Sequence, residues 1–233
     1  MSNSTFFRSA ELRWFLPVTA NQWGVFFDWF IQDRIIINED ELSASAQHNK
    51  PFIERENKVT HTYLLLPDAN CLGIKRRNDE LEMKMLLSTP SAFLLPKFNV
   101  TGYMDQWLKW TTVAQQKKLT AEFAHTGLWV EVIKERVLQT FAKDHEQLTP
   151  ALGDLHRETG CTVELAHLSC TLNDNNWLSF AFETFGENVQ SIDLLSKTVN
   201  SYFQDHGQPP LELNFSNALN YPNWLAQLSL GKK

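Results

Sequence analysis

Charged and apolar residues alternate along several stretches of the chain, and the period of this alternation predicts β-strands. The clearest stretch is Leu72–Leu87, where Lys75 and Arg77 share one face of a first strand. After an Asn-Asp turn pair, Glu82 and Lys84 share one face of a second strand, with Leu and Met residues on the other. The pattern predicts a hairpin with one charged face and one apolar face.

The same alternation predicts further strands along the chain, and in each of them charged residues fall on a shared face. The predicted strands cover residues 8–16, 35–37, 59–66, 101–112, 129–138, 161–170 and 177–185. The charged positions that belong to this pattern are Glu11, Arg13, Asp105, Lys109, Lys134, Arg136, Glu164 and Glu183.

Apolar residues at helical spacing predict two helices. Residues 20–32 carry a stripe of aromatic side chains, and Thr19 is a suitable N-cap. Residues 188–206 form an amphipathic segment that we expect Gly207 to end. A short helix is predicted to begin at Pro150, since proline favours the first turn of a helix.

Polar and Ser/Pro-rich segments predict the connections. Residues 38–58 are interpreted as a loop insertion, residues 88–97 as a connection, and residues 207–233 as a C-terminal tail. The residues expected to dock this tail are Tyr221, Trp224 and Leu225. No linker or fixed repeat divides the chain, so residues 1–233 are predicted to form a single domain.

Composition narrows the class of protein. The chain is 43% hydrophobic and 12% aromatic, which favours a packed fold over a disordered chain. Its net charge of -6 argues against nucleic acid or an anionic membrane as a partner. Cys71, Cys161 and Cys170 lack CxxC spacing and are predicted to be buried, reduced thiols. The chain shows no signal segment and no apolar run of ~20 residues, so we expect a cytoplasmic protein.

Two arrangements of the charged strand faces are compatible with this pattern. An open sheet with water on one side would leave the charges solvated. A closed barrel would instead pack its apolar faces outward under helices and enclose the charges. Buried charges are costly unless they are paired or bound to a ligand, so the enclosed face would need both signs of charge.

The order of the charged motifs resembles that of the CYTH domain, or triphosphate tunnel metalloenzyme, family. That family opens with Glu-x-Glu-x-Lys, continues through a Tyr-Leu strand, an Arg-x-Arg strand and a Lys-x-Arg strand, and ends with carboxylates. The matching residues here are Glu11, Arg13, His61-Thr62-Tyr63-Leu64, Lys75, Arg77, Glu82, Lys84, Lys134, Arg136, Glu164 and Glu183. The resemblance implies an α+β fold with an antiparallel β-barrel tunnel and flanking helices.

In that family the tunnel binds triphosphate, and members include inorganic, thiamine and RNA triphosphatases and class IV adenylate cyclases. The resemblance therefore implies a ligand that is a triphosphate-containing small molecule or inorganic polyphosphate. The residues it assigns to phosphate are Arg13, Lys75, Arg77, Lys84, Lys109, Lys134 and Arg136. The residues it assigns to Mg²⁺ or Mn²⁺ are Glu11, Glu82, Glu164 and Glu183.

Several positions depart from the family pattern and thin out its acids. Ser9 stands where the family has its first glutamate, Arg13 replaces its lysine, and Ala181 replaces one of its late acids. Trp107 and Lys109 occupy a strand that in the family carries acidic residues. Two functions stay open: a divalent-metal-dependent triphosphate hydrolase, and a non-catalytic phosphate- or nucleotide-binding module. No catalytic residue is assigned.

Overall fold

A computed structural model describes residues 5–32, 34–38, 52–66, 68–77, 80–112, 129–144, 147–151, 159–186 and 191–230. Within these residues the fold is mixed α and β. The strands are β1 (Thr5–Pro17), β2 (Ile35–Asn38), β3 (Phe52–Arg55), β4 (Val59–Leu64), β5 (Leu72–Arg77), β6 (Glu80–Leu86), β7 (Ser91–Leu95), β8 (Val100–Thr112), β9 (Trp129–Asp144), β10 (Gln147–Ala151), β11 (Thr159–Cys170) and β12 (Asn173–Gly186). The helices are α1 (Ala20–Ile31), α2 (Ser191–His206) and α3 (Tyr221–Leu230), with a 3₁₀ turn at Pro96–Phe98.

Eight strands form a closed ring. Their order is β11-β12-β1-β8-β6-β5-β4-β9, and β9 pairs back with β11. Every pairing around this ring is antiparallel. Closure converts the sheet into a barrel with an inside and an outside, and it leaves no free edge in the ring. This is the architecture that the resemblance implied.

The alternation along each strand separates the inside of the barrel from its outside. On β1, Leu12 and Trp14 belong to an apolar core that also contains residues of α1 and α2, including Phe26 and Tyr202. Glu11, between Leu12 and Ala10 in sequence, points to the other face and is only 4% exposed. The charged faces are therefore enclosed, and the open-sheet arrangement is excluded.

Local chemistry predicted correctly where α1 begins and where α2 ends. Thr19 caps α1 in a capping box with Gln22. Helix α2 ends at His206, and the following Gly207 has a φ of +78°, a conformation that favours glycine. Residues 188–190, which the prediction included in this helix, lie outside the described residues. No helix among the described residues is long and apolar enough to cross a bilayer.

Four expectations from the sequence were wrong. Residues 147–151 form β10 rather than the start of a helix, and Pro150 is accommodated because β10 pairs with β9 at the margin of the ring. Residues 91–95, expected to be a connection, form β7 against β8. Residues 52–55, expected to be part of a loop insertion, form β3, while residues 39–51 of that insertion lie outside the described residues. Cys71 is exposed rather than buried, although Cys161 and Cys170 are buried as expected.

The C-terminal helix α3 covers one end of the barrel. Inward-facing apolar residues at that end, including Phe15 and Val132, form a cluster with Trp224, Leu225 and Leu228. The Trp224 ring stacks on Phe15 with 4.5 Å between the ring centroids. Docking of the tail through Trp224 and Leu225 is therefore confirmed. Apolar side chains close the interior of the barrel at this end.

Removing the Trp224 ring should destabilise the protein, because this ring fills the apolar cluster under the barrel. We expect Trp224→Ala to lower the free energy of unfolding by about 3–5 kcal/mol. Leu230→Ala is the matched control on the same helix: Leu230 is 63% exposed, and its loss should change that free energy by less than about 0.5 kcal/mol. Urea denaturation followed by far-UV circular dichroism measures both, and equal losses would contradict the docking of α3.

Candidate functional site

The barrel encloses a cavity of about 1060 Å³ that is lined by charged side chains from its inner face. The charged residues on its wall are Arg8, Glu11, Arg13, Glu56, Lys75, Glu82, Lys84, Lys109, Lys134, Arg136, Glu164 and Glu183. These include all of the phosphate and metal candidates from the sequence except Arg77, whose side chain lies outside the described part of the chain. The structure brings the candidates together, while their roles as ligands stay predictions.

The deepest group of charges is the Glu164 cluster, formed by Glu164, Arg13, Lys134 and Arg136. One Glu164 oxygen accepts a hydrogen bond from Arg13 Nη1 at 2.7 Å. The other accepts from Lys134 Nζ at 2.7 Å and from Arg136 Nη1 at 2.9 Å. Arg136 also forms an ion pair with Glu56. A single carboxylate thus joins strands β1, β9 and β11 through three cations.

Electrostatics within the Glu164 cluster favour the charged carboxylate. Burial opposes ionisation of Glu164, but Lys134, Arg13 and Arg136 outweigh it and hold the pKa of Glu164 well below its usual range. Burial also lowers the pKa of Lys134 to about 7, helped by Arg136 and Arg13 and opposed by Glu164. Lys134 is therefore the cation in this cluster that loses its proton most readily near neutral pH.

A second group, the lysine cluster, consists of Lys75, Lys84 and Lys109 on strands β5, β6 and β8. Lys84 and Lys109 are direct cross-strand partners. Their side chains and that of Lys75 remain 21–27% exposed, compared with 5–6% for Arg13 and Lys134. The lysine cluster is therefore the more accessible group of cations in the cavity.

Each lysine of this cluster contacts a carboxylate. Lys75 Nζ lies 3.0 Å from Glu82 Oε1. Lys84 Nζ lies 3.1 Å from Glu11 Oε2 and 2.9 Å from Glu183 Oε1. Lys109 Nζ makes the longest of these contacts, 3.4 Å to the same Glu183 oxygen. Burial opposes ionisation of Glu82, yet Lys75, with help from the other two lysines, lowers its pKa to about 2.

Asp105 adds a buried acid beside the lysine cluster. It is the direct cross-strand partner of Glu11, and Asn220 Nδ2 donates a hydrogen bond to its Oδ2 at 3.2 Å. Burial and the neighbouring Glu11 charge raise the pKa of Asp105 to about 7. The sequence placed Asp105 on the charged face but did not identify this environment.

Glu56 and Tyr221 line the cavity, although the sequence did not mark either of them as a phosphate or metal candidate. Glu56 lies in the break between β3 and β4, where no alternation marks it, and its backbone N–H donates to the Arg136 carbonyl at 3.2 Å. Tyr221 was expected only to dock the tail, but its ring stacks on Tyr63 with 5.0 Å between centroids. The Arg13 guanidinium lies 5.0 Å from the Tyr221 ring centroid, which is cation–π distance. Only the tertiary fold brings these side chains to the cavity.

The predicted Mg²⁺ or Mn²⁺ does not fit this arrangement. Among the described residues, no group of three or more His, Cys, Asp or Glu side chains is placed to hold a metal ion. All four acids assigned to metal already bond to lysine or arginine side chains, whereas a hard divalent cation needs several free oxygen ligands. These pairs are Glu11 with Arg13 and Lys84, Glu82 with Lys75, Glu164 with three cations, and Glu183 with Lys84 and Lys109.

Comparison with known proteins finds similarity only among solved structures. No family model and no curated protein matches the chain. The structure of the S. pombe Pct1 RNA triphosphatase is similar with a TM-score of 0.37 and 8% identity, covering 86% of this chain and 82% of that one. The same triphosphatase in complex with the Spt5 CTD gives a TM-score of 0.32 and 10% identity, covering 97% of this chain and 83% of that one. Because these TM-scores are low, the fold and the site are described from this chain's own strand pairing and side chains.

The raised pKa of Asp105 predicts a specific dependence of stability on pH. The folded protein binds a proton at Asp105 up to about pH 7, whereas an unfolded aspartate loses it near pH 3.9, so Asp105 lowers stability progressively as pH rises through this window. Asp105→Asn should therefore be more stable than the wild type at pH 8, by on the order of 2 kcal/mol, and the difference should shrink towards pH 5.

Urea denaturation at a series of pH values measures this difference. The change Asp28→Asn, at an exposed position of α1, is the matched control and should not reproduce the trend. A constant offset between Asp105→Asn and the wild type across the pH range would contradict the environment described for Asp105.

Proposed function

We propose that the barrel cavity binds the triphosphate group of a small molecule, or inorganic polyphosphate. The observation that carries this proposal is the lysine cluster, in which Lys75, Lys84 and Lys109 project from three adjacent strands into an enclosed but accessible space. A linear triphosphate carries several negative charges, and a row of ammonium groups can bind it along its length.

The Glu164 cluster is the less suitable phosphate site. Arg13 and Lys134 are buried, and their hydrogen bonds are directed at Glu164, Glu11 and Ser179. Withdrawing a cation from Glu164 would leave a buried carboxylate undercompensated, which is strongly unfavourable. We therefore assign Arg13, Lys134 and Arg136 a structural role, in which they join strands β1, β9 and β11 through Glu164.

Binding at the lysine cluster must compete with the internal ion pairs. Seven cations and five carboxylates line the cavity, so carboxylates compensate most of its positive charge. An incoming phosphate has to draw Lys75 away from Glu82 and Lys109 away from Glu183. Lysine suits this exchange because its charge sits on a flexible stem. We expect binding to weaken as salt concentration increases, since the lysine cluster is partly exposed.

Hydrolysis of the ligand is the second candidate function. The observation that favours it is the direct cross-strand pairing of Glu11 with Glu183, which sets two carboxylates side by side in the cavity. The ion pairs of both acids oppose it, and a binding module is the function that the geometry supports best. A phosphate-release screen over tripolyphosphate, nucleoside triphosphates and thiamine triphosphate, with Mg²⁺ and with Mn²⁺, separates the two. Metal-dependent release that Glu183→Gln abolishes would favour the hydrolase.

The lysine cluster should determine affinity for polyphosphate. At about 100 times its Kd, tripolyphosphate should stabilise the wild-type protein by about 2.7 kcal/mol, seen as a rise in melting temperature. Lys109→Ala should weaken binding on the order of tenfold, because a charge-assisted hydrogen bond contributes about 1.5–3 kcal/mol. Calorimetric titration measures the change in Kd directly.

Two controls accompany this measurement. Lys58→Ala removes a lysine whose side chain is 61% exposed and paired with Glu135 on the surface, and it should leave the Kd unchanged. Monophosphate at equal ionic strength should raise the melting temperature less than tripolyphosphate. Equal effects of the two anions, or equal losses in both lysine variants, would contradict the proposed site.

An aromatic side chain beside the lysine cluster allows a test for nucleotides. Phe7 lines the cavity, is 40% exposed and is the cross-strand partner of Lys109, whereas Phe6 stacks on Trp110 and is 62% exposed. A base that stacks on an aromatic ring gains about 1–3 kcal/mol. If the ligand is a nucleoside triphosphate, Phe7→Ala should weaken binding of ATP by about five- to 150-fold and leave tripolyphosphate unchanged.

Phe6→Ala is the matched control for this comparison and should affect neither ligand. Calorimetric titration of both variants with ATP and with tripolyphosphate gives the four affinities required. An equal loss of both ligands in Phe7→Ala would show that Phe7 shapes the cavity rather than contacting a base.

A further inference from the structure

Two acidic side chains of the cavity converge on one lysine. Glu11 and Glu183 are direct partners across strands β1 and β12. Lys84 reaches them from β6, with β8 lying between β6 and β1 in the ring. Its Nζ lies 3.1 Å from a Glu11 oxygen and 2.9 Å from a Glu183 oxygen. Among the described ion pairs, Lys84 is the lysine that joins two carboxylates in this way.

A cation at this position is required by the electrostatics of the two acids. Burial and the charge of Glu183 oppose ionisation of Glu11, but Lys84 and Arg13 outweigh them and lower its pKa. Two neighbouring carboxylates that are both ionised need a compensating positive charge, which proteins supply either as a metal ion or as a basic side chain. Arg13 contacts only Glu11 of this pair, and Lys109 contacts only Glu183, at 3.4 Å. Lys84 is therefore the charge that holds the two acids together.

We infer that the ammonium group of Lys84 is a built-in cation that takes the position of a divalent metal between Glu11 and Glu183. The wild-type cavity then takes up no metal ion at these two acids. Removing the ammonium while keeping the acids converts the position into a cation site, to which Ser9 Oγ, 3.3 Å from Glu183 Oε1, can add a third oxygen. The inference concerns metal selection and does not rest on the proposed phosphate binding.

The experiment measures Mn²⁺ binding in the absence of any phosphate, by the loss of the free Mn²⁺ signal in electron paramagnetic resonance. We expect wild-type protein to show no saturable binding, and Lys84→Met to bind Mn²⁺ with a Kd at least about tenfold below the highest Mn²⁺ concentration tested on the wild type. Met keeps an unbranched side chain of similar length and removes only the charge. Adding Glu11→Gln to Lys84→Met should remove the gain.

Lys75→Met is the matched control, because Lys75 also lines the cavity but pairs with the single carboxylate of Glu82. This variant should not gain Mn²⁺ binding. An equal gain in Lys75→Met would show a general effect of lost positive charge and would overturn the inference. Saturable Mn²⁺ binding by the wild type that Glu11→Gln abolishes would also overturn it.

Loss of Lys84 leaves two acids with less compensation, so Lys84→Met is expected to melt below the wild type. If the variant is unfolded, circular dichroism with added Mn²⁺ decides the matter. Recovery of the fold with Mn²⁺, but not with NaCl at equal ionic strength, supports the inference, and failure of Mn²⁺ to restore the fold overturns it. Since no phosphate is present, failure here leaves the tripolyphosphate result unaffected, and the reverse also holds.

Discussion

A charge enclosed inside a closed barrel needs a group of opposite charge beside it, and the rest of this structure depends on that constraint. Removing a charge from water costs several kcal/mol unless hydrogen bonds and opposite charges compensate for it. Glu164 meets this requirement with three cations, and the pair Glu11 and Glu183 meets it with Lys84. These contacts cross from strand to strand, so the pairing of charges and the closure of the ring depend on each other.

The same constraint divides the cavity into a structural part and an accessible part. Arg13 and Lys134 are committed to Glu164 and lie against Tyr221, which α3 holds in place. The lysine cluster retains exposure and makes longer contacts than Arg13 and Lys134 make with Glu164. A ligand can replace the carboxylates that contact these lysines while the Glu164 cluster stays intact. The affinity of such a site is limited by the internal ion pairs that the ligand must displace.

The pairing of acids with bases in the cavity also bears on its chemistry. An acid that already bonds to two basic side chains is a poor ligand for a divalent ion, because the ion would have to replace both of them. The departures at Ser9 and Ala181 remove two acids that the resemblance led us to expect on the strands carrying Glu11 and Glu183. With fewer acids, a single ammonium group is enough to compensate the pair that remains. A cavity that binds phosphate without a metal is therefore consistent with Lys84 as the built-in cation between Glu11 and Glu183.

The sequence by itself determined which residues share a face of each strand, where α1 begins and where α2 ends. The alternation that places Lys75 with Arg77 and Glu11 with Arg13 follows from the period of a strand. The start of α1 follows from Thr19 and the end of α2 follows from Gly207, and these are also local properties. It did not reveal β7 or β10, because these short strands are stabilised by pairing with β8 and β9 rather than by their own pattern. Nor did it reveal Glu56 or the cavity-facing role of Tyr221.

Only the tertiary structure decided that the charged faces point inward, because that depends on β9 pairing with β11 to close the ring. It also decided which acid meets which base. Lys84 contacts Glu11 and Glu183 across strands that are distant in sequence, and no local pattern encodes such a contact. The partners of a buried charge are set by which strands become neighbours in the ring. That is why most of the charged cavity residues could be named from the sequence, while their pairing, and with it the poor fit of a metal, could not.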